Sequence, residues 1–595
     1  MYTSTRMSQT PNYDVKVKTI LDTLKPGERV CSMTGEKWMM TEEEIGWYKK
    51  FNVPPPKVSP LTRWKHHGAW YVGYQYWYQK HPETRLRSDG ATDGQARKPI
   101  ICTVHPATGI KVLPDKEWFE KDFISAGRDY DPSRSLMEQW RDLQLAVPMP
   151  ANRNHVEPVN SIAFVSQGDE NSYFVGASKS RNSLYCHVAM DTEDSAEVYQ
   201  GFSVTNSFNV VHSRRIFNCQ YVRESFDCMN STFLFDCRNC EFCFGATNKR
   251  NKKHLWFNEQ LSENEWKKRR AEVDLGSRKI LDEYTAKFQK LVDDAVWPEN
   301  FNEQAENSTG EYLTKTTKVR ESYFCEEGAL NEYSCNFSLG TSENCAFSGY
   351  PVFATDIYYS GSCSRGSKCS FCFLCIQSQR MEYSLLCYNC EDCFGCVGLQ
   401  RKKFCILNKQ YSEEEYWQRV DEIKCKMLED KEYGEFFPAK YAPSYWADSG
   451  APVWFDTSKE DALGMGCLFF DPESEDAIGE SLANATPTPV EEIPDHVNDL
   501  TDEWISRPLY DVGSNRRFAM IKPEVELYRH MKIAPPRKHF ISRIKDLWLE
   551  ANQASFIETK CEACHKPLRV AKNAAHSVRR HLCRKDYLAY LEKNG

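Results

Sequence analysis

The sequence predicts a mixed, β-rich fold: two tandem parallel β-solenoid modules with capping helices, flanked by small α+β, zinc-ribbon-like terminal domains. Three observations lead there. A Cys-rich stretch occurs twice, 150 residues apart. A second stretch occurs near both ends of the chain, 480 residues apart. Between the cysteines there is no helical periodicity, only short runs broken by Gly, Ser and Asn.

The bulk numbers set the frame. A chain of 595 residues is long enough for about two to four domains. Hydrophobic residues at 41% supply ample core material. A net charge of −8 argues against a general polyanion binder, although local basic patches can still act. No apolar run is long enough to span a membrane, and the opening MYTSTRMSQTPNYD lacks a secretory signal, so a cytoplasmic or otherwise reducing location is expected. Twenty-five cysteines in that setting point to reduced thiols, buried or holding metal.

Residues 1–157 are read as a degenerate zinc-ribbon-like domain. Cys31-Ser-Met-Thr34-Gly35 resembles a metal knuckle that has lost one ligand. Cys102 and His105 retain two ligand types, with no second pair downstream, so a metal-free relic is expected. The stretch HPETRLRSDGATDGQARK is read as a surface-loop insertion.

Residues 158–310 and 311–440 form the two Cys-rich modules. CRNCEFCFGATNKRNKKHLWFNEQLSENEW, from Cys237, aligns without a gap to CYNCEDCFGCVGLQRKKFCILNKQYSEEEY, from Cys387. Cysteine is small and usually buried, which suits the inside of a coil whose rungs bury apolar faces only against their neighbours. A straight strand alternates faces, so cysteines three apart imply chain bending around a corner. Each module then reaches a helix start. Ser262 with Glu265, and Ser412 with Glu415, have capping-box spacing, and helices are expected over 263–292 and 413–430. Cys387, Cys390, Cys393 and Cys396 also admit a metal reading, as zinc or an iron–sulfur cluster. The first copy carries Ala246 where the second has Cys396, which favours interior thiols.

Residues 441–515 are read as an acidic linker, because 460–506 contain no Lys or Arg. Residues 516–595 form the C-terminal zinc-ribbon-like domain. There, CEACHKPLRVAKNAAHSVRRHLC offers Cys561, Cys564 and Cys583, with His581 or His576 as fourth ligand to a structural zinc. The second Cys-x-x-Cys of a full ribbon is missing, because position 586 is Asp.

No P-loop, dinucleotide fingerprint, nucleophile elbow or HExxH motif is present, so a non-enzymatic scaffold or interaction protein, possible as part of a large assembly or oligomer, is expected. The alternative is nucleic-acid binding through repeated basic loops at Lys252, Lys253, Lys402 and Lys403.

Three stretches resemble one family: CEDCFGCVGLQRKKFCILNKQYSEEEY (390–416), EKDFISAGRDYDPSRSLMEQWRDLQLAVP (120–148) and ELYRHMKIAPPRKHFISRIKDLW (526–548). It consists of the uncharacterised Cys-rich repeat proteins of candidate-phyla-radiation (Patescibacteria-type) genomes. The resemblance implies a Cys-rich repeat core with zinc-ribbon-like ends. It carries no established activity.

Overall fold

The computed structural model describes residues 8–71, 75–82, 98–455, 457–469 and 485–595. The chain is mixed α/β, with most of its strands in two stacks of parallel segments. In the first, Leu184 lies opposite Ala196, Phe208 opposite Gln220, and Gln220 opposite Thr232. The step is therefore 12 residues. The second stack keeps the same step where Gly349 faces Gly361 and Phe373 faces Leu385. Glu303 already pairs with Thr314, so the second stack begins before residue 311.

The spacing of three has a backbone cause. Leu386, Asn389, Asp392 and Gly395 are all left-handed, with φ of 50–64°. Each directly precedes one of Cys387, Cys390, Cys393 and Cys396, and all four cysteines are buried. A left-handed residue at every third position bends the chain, so the next side chain always turns inward. The same pattern runs through the first stack, where Asn218, Tyr221, Glu224 and Asp227 precede buried Cys219, Val222, Ser225 and Cys228.

The inward positions also solve a hydrogen-bond problem. Ser195 Oγ donates to the Glu193 carbonyl (2.7 Å) and accepts the Ser207 N–H (3.0 Å). Ser207 Oγ in turn donates to the Thr205 carbonyl (2.8 Å) and accepts the Cys219 N–H (3.0 Å). Thiols take the same donor role: Cys219 Sγ reaches the Phe217 carbonyl at 3.3 Å, and Cys228 Sγ the Phe226 carbonyl at 3.3 Å. Ser and Cys share these columns because both are small and both donate to the carbonyl two residues back.

Both stacks close alike. Asn258 and Asn408 are left-handed, and each turns the chain into a short antiparallel strand. Asn408 clamps Val397 by accepting its N–H and donating to its carbonyl, each at 2.8 Å. Ser262 and Ser412 then cap helices, accepting the N–H of Glu265 and Glu415 at 3.3 Å. The expected helix over 263–292 is in fact two, Glu263–Ala271 and Arg278–Asp293. They part where Asp274 Oδ1 accepts the Gly276 N–H (2.9 Å), a local bond that competes with the helix.

The end repeat forms two matched helix pairs. Glu42–Phe51 and Pro60–Trp70 correspond to Lys522–Met531 and Phe540–Leu549. Each pair buries a Glu–Tyr–Arg group. Arg63 donates to Glu44 (3.0 Å) and Tyr48 (2.8 Å), as Arg543 does to Glu524 (3.0 Å) and Tyr528 (2.6 Å). The docking is crossed. Tyr48 stacks on Phe347 of the second stack, while Tyr185 of the first stack donates to Glu524 (2.8 Å).

The segment read as an acidic linker is packed where it is described. Trp446, Phe455, Ile493, Val497 and Leu500 are buried, and Arg516 pairs with Asp448 at 2.7 Å. Its apolar residues anchor it despite the charge bias; residues 470–484 lie outside the described residues. The loop insertion falls largely outside them too.

Candidate metal centre

Antiparallel strands Phe556–Lys560 and Pro567–Ala571 meet in a turn at Cys561–Lys566. The turn is set by the Cys561 N–H donating to the Lys566 carbonyl and the His565 N–H donating to the Cys561 carbonyl, both 2.9 Å. His565 is left-handed (φ 59°), which brings the chain back sharply. Cys583 stands at the N-cap position of the helix Arg584–Asn594, and Asp586 lies in its first turn. The Cys583 N–H donates to Cys561 Sγ at 3.3 Å, tying the helix start to the turn.

The ligand atoms of Cys561, Cys564, Cys583 and Asp586 all lie within 4.8 Å of one another. Cys564 and Cys583 sulfurs are 3.8 Å apart. A tetrahedral zinc with Zn–S of about 2.3 Å needs sulfur–sulfur edges of about 3.8 Å. Cys561 and Cys583 Sγ each donate to Asp586 Oδ2 at 3.1 Å. These thiol bonds, led by Cys564, hold the Asp586 carboxyl down at about 2. The same carboxylate, first among its neighbours, pushes the Cys564 thiol up to about 12. The four residues could bind a metal, which would replace the thiol protons in this network. The Asp586 N–H at the helix N-terminus favours the Cys583 thiolate, but burial and the Asp586 carboxylate leave the thiol above its ordinary value.

The fourth member is Asp586, where His581 was expected. His581 lies on the strand Arg580–Leu582, paired opposite Trp297, and is not part of the group. His576 is also elsewhere, bonded to Asp293 and Gln289 at 3.0 Å. The Cys583-x-x-Asp586 spacing was the available signal, since a carboxylate can stand where a ribbon has its last cysteine.

The N-terminal knuckle repeats the turn without the ligands. The Cys31 N–H bonds the Glu36 carbonyl (2.8 Å), the Gly35 N–H bonds the Cys31 carbonyl (2.9 Å), and Gly35 is left-handed. Thr34 stands where Cys564 does, and Cys31 Sγ donates to Thr62 Oγ1 at 3.3 Å. Cys102 Sγ donates to the Val104 carbonyl (3.2 Å), and His105 Nδ1 accepts the Ala107 N–H (3.0 Å).

Cys387, Cys390, Cys393 and Cys396 sit inside the second stack. Their sulfurs donate to the carbonyls of Leu385, Tyr388, Glu391 and Phe394 at 3.4–3.5 Å. Among the described residues they do not form a group of ligand atoms suited to a single metal ion. Burial pushes the Cys186 and Cys219 thiols up to about 12, which makes these two poor nucleophiles, whereas hydrogen bonds from neighbouring thiols hold Cys390 down at about 4.

The four lysines divide. Lys253 pairs with Glu241 (2.6 Å), Lys402 with Asp122 (2.7 Å), and Lys403 with Glu391. Each of these charges is already matched by a carboxylate. Lys252 is half-buried, and its carbonyl accepts the Glu241 N–H at 3.0 Å. Among the described residues, no helix is long and apolar enough to cross a membrane.

No protein-family model, curated protein or solved structure matches the chain.

Proposed function

We propose that the chain is a non-enzymatic scaffold built on two tandem parallel β-solenoids, with one structural zinc in the C-terminal domain. The observation that carries the reading is the 12-residue parallel register with its inward columns of Ser and Cys. The polar atoms of those columns are satisfied within the stack, so the interior holds a shape rather than a reacting group. Successive rungs about 4.8 Å apart give a first stack roughly 40 Å long, a rigid side wall for protein partners or assembly.

Three cysteines and an aspartate make a closed four-ligand set, which is the arrangement of a structural ion. Its position supports that role. The helix Arg584–Asn594 reaches the end of the first stack, where Tyr587 bonds Asp236 and Arg250, and Lys249 donates to the Asn594 carbonyl (2.5 Å). Zinc fastens the helix to the hairpin, and the helix fastens the hairpin to the stack.

Native mass spectrometry with metal analysis tests this reading. One zinc per chain is expected, lost in Cys561→Ser. Four or more zinc or iron ions per chain would overturn the account of the interior thiols. Zinc content unaffected by Cys561→Ser would overturn the assignment of the centre.

A further inference from the structure

The two helix pairs are not perfect copies, and the difference leaves a cavity. Arg63 lies over the Phe347 ring as Arg543 lies over the Tyr185 ring, so Phe347 and Tyr185 hold equivalent places. One rung earlier, the first stack has Phe174 and the second has Ser334. At the head of the following helix, the C-terminal pair has Phe540 and the N-terminal pair has Pro60. Phe174, Tyr185 and Phe540 stack on one another, with centroids 5.2–5.6 Å apart. In the N-terminal copy two of those three rings are absent, and a cavity of about 470 Å³ lies there.

Its walls include Trp38, Trp64, Tyr333 and Phe556, together with Glu36 and Glu43. Two further carboxylates in the lining are matched: Glu44 by Arg63, and Glu321 by Arg569. Among the described residues the Glu36 carboxylate accepts only the Ser59 hydroxyl (2.7 Å), and Glu43 has no ion pair. Ser555, also in the wall, has a buried hydroxyl without a partner among the described residues. Aromatic walls beside uncompensated carboxylates attract a cation with an apolar body.

We propose that this cavity binds an organic cation of the arylalkylammonium class. The aryl body takes the space that Phe174 and Phe540 fill in the other copy. The ammonium lies toward Glu36 and Glu43.

Isothermal titration of the full chain with benzyltrimethylammonium tests the site, with benzyl alcohol and benzenesulfonate as neutral and anionic controls. Saturable binding is expected at millimolar concentration or tighter for a ligand of this size. The controls should bind at least tenfold more weakly. Ser334→Phe restores the missing ring in a left-handed position that Phe174 already tolerates (φ 57° against 51°), and should abolish binding. Glu43→Gln should weaken binding several-fold at low salt and leave the fold intact. Equal affinity for benzyl alcohol would overturn the cation assignment. Wild-type affinity in a folded Ser334→Phe would overturn the location. If that variant does not fold, Glu43→Gln decides, and unchanged affinity and salt dependence would refute the proposal. Absence of saturable binding at tens of millimolar would also refute it.

Discussion

Replacing Arg543 with Met should detach the second helix pair from the first stack. Arg543 is 7% exposed and holds two carboxylates, Glu197 at 2.8 Å (6% exposed) and Glu524 at 3.0 Å (1% exposed). Met conserves much of the volume, so the loss is mainly electrostatic. Removing one partner of a buried ion pair costs about 3–5 kcal/mol, because the remaining charge stays buried without its counterion. Here two carboxylates are left, but each keeps hydrogen bonds: Glu524 from Tyr185 and Tyr528, and Glu197 from Asn209. The cost therefore stays near that range. At about 1.4 kcal/mol per tenfold, amides of Phe540–Leu549 should exchange roughly two to four orders of magnitude faster. Hydrogen exchange read by mass spectrometry measures this directly. A change of less than tenfold would refute the reasoning.

Two further outcomes are expected. Ser207→Val should cost about 1–3 kcal/mol, because the buried Cys219 N–H loses its acceptor, whereas Ser207→Cys should cost much less; urea denaturation of both variants checks the difference. The stability of the whole chain should peak near pH 6.5. Burial holds His66 at about 4, and His67 and His187 at about 3, so the unfolded chain binds more protons below pH 6.5 and stability falls with acid. Burial raises Glu311 and Glu326 to about 7 and Glu332 to about 8, so the folded chain binds more protons and stability falls as pH rises toward 8. Between pH 4.5 and 6.5 the two sets oppose. His212 and His539, also held well below the ordinary value, tip the balance toward the histidines. Urea midpoints across pH 4–9 check the maximum; a monotonic rise to pH 8 would contradict it.

Much of the repeated architecture was legible because it rests on side-chain identity. Cysteines three apart and the Ser262 and Ser412 caps carry their chemistry in the residue type. The 12-residue step was not legible. Its corners are made by Leu386, Asn389, Asp392 and Gly395, and only Asn, Asp and Gly favour left-handed backbone. The metal group was three-quarters visible. Asp586 joins it only because the helix starting after Cys583 turns that carboxylate toward the sulfurs, and spacing alone could not rank it above His581. Composition misled at 485–506, where a few apolar residues outweigh many charges once a surface is there to receive them. The cavity beside Ser334 was out of reach, since it is defined by rings that are present only in the other copy.

The crossed docking of the end repeats sets a timetable for synthesis. The helix pair carrying Tyr48 and Arg63 leaves the ribosome early, but Phe347, the ring on which Tyr48 stacks, follows about 300 residues later. At roughly 5–20 residues per second, that is a delay of about 15–60 s. Through that interval the first helix pair has an apolar face and a buried-type arginine without their shelter. The first stack, by contrast, closes rung upon rung as it emerges, since each rung needs only the one before. The last helix pair then meets a finished wall. Assembly of this chain is therefore sequential in its middle and deferred at its beginning, and its N-terminal helices are the segment for which a chaperone would have most to do.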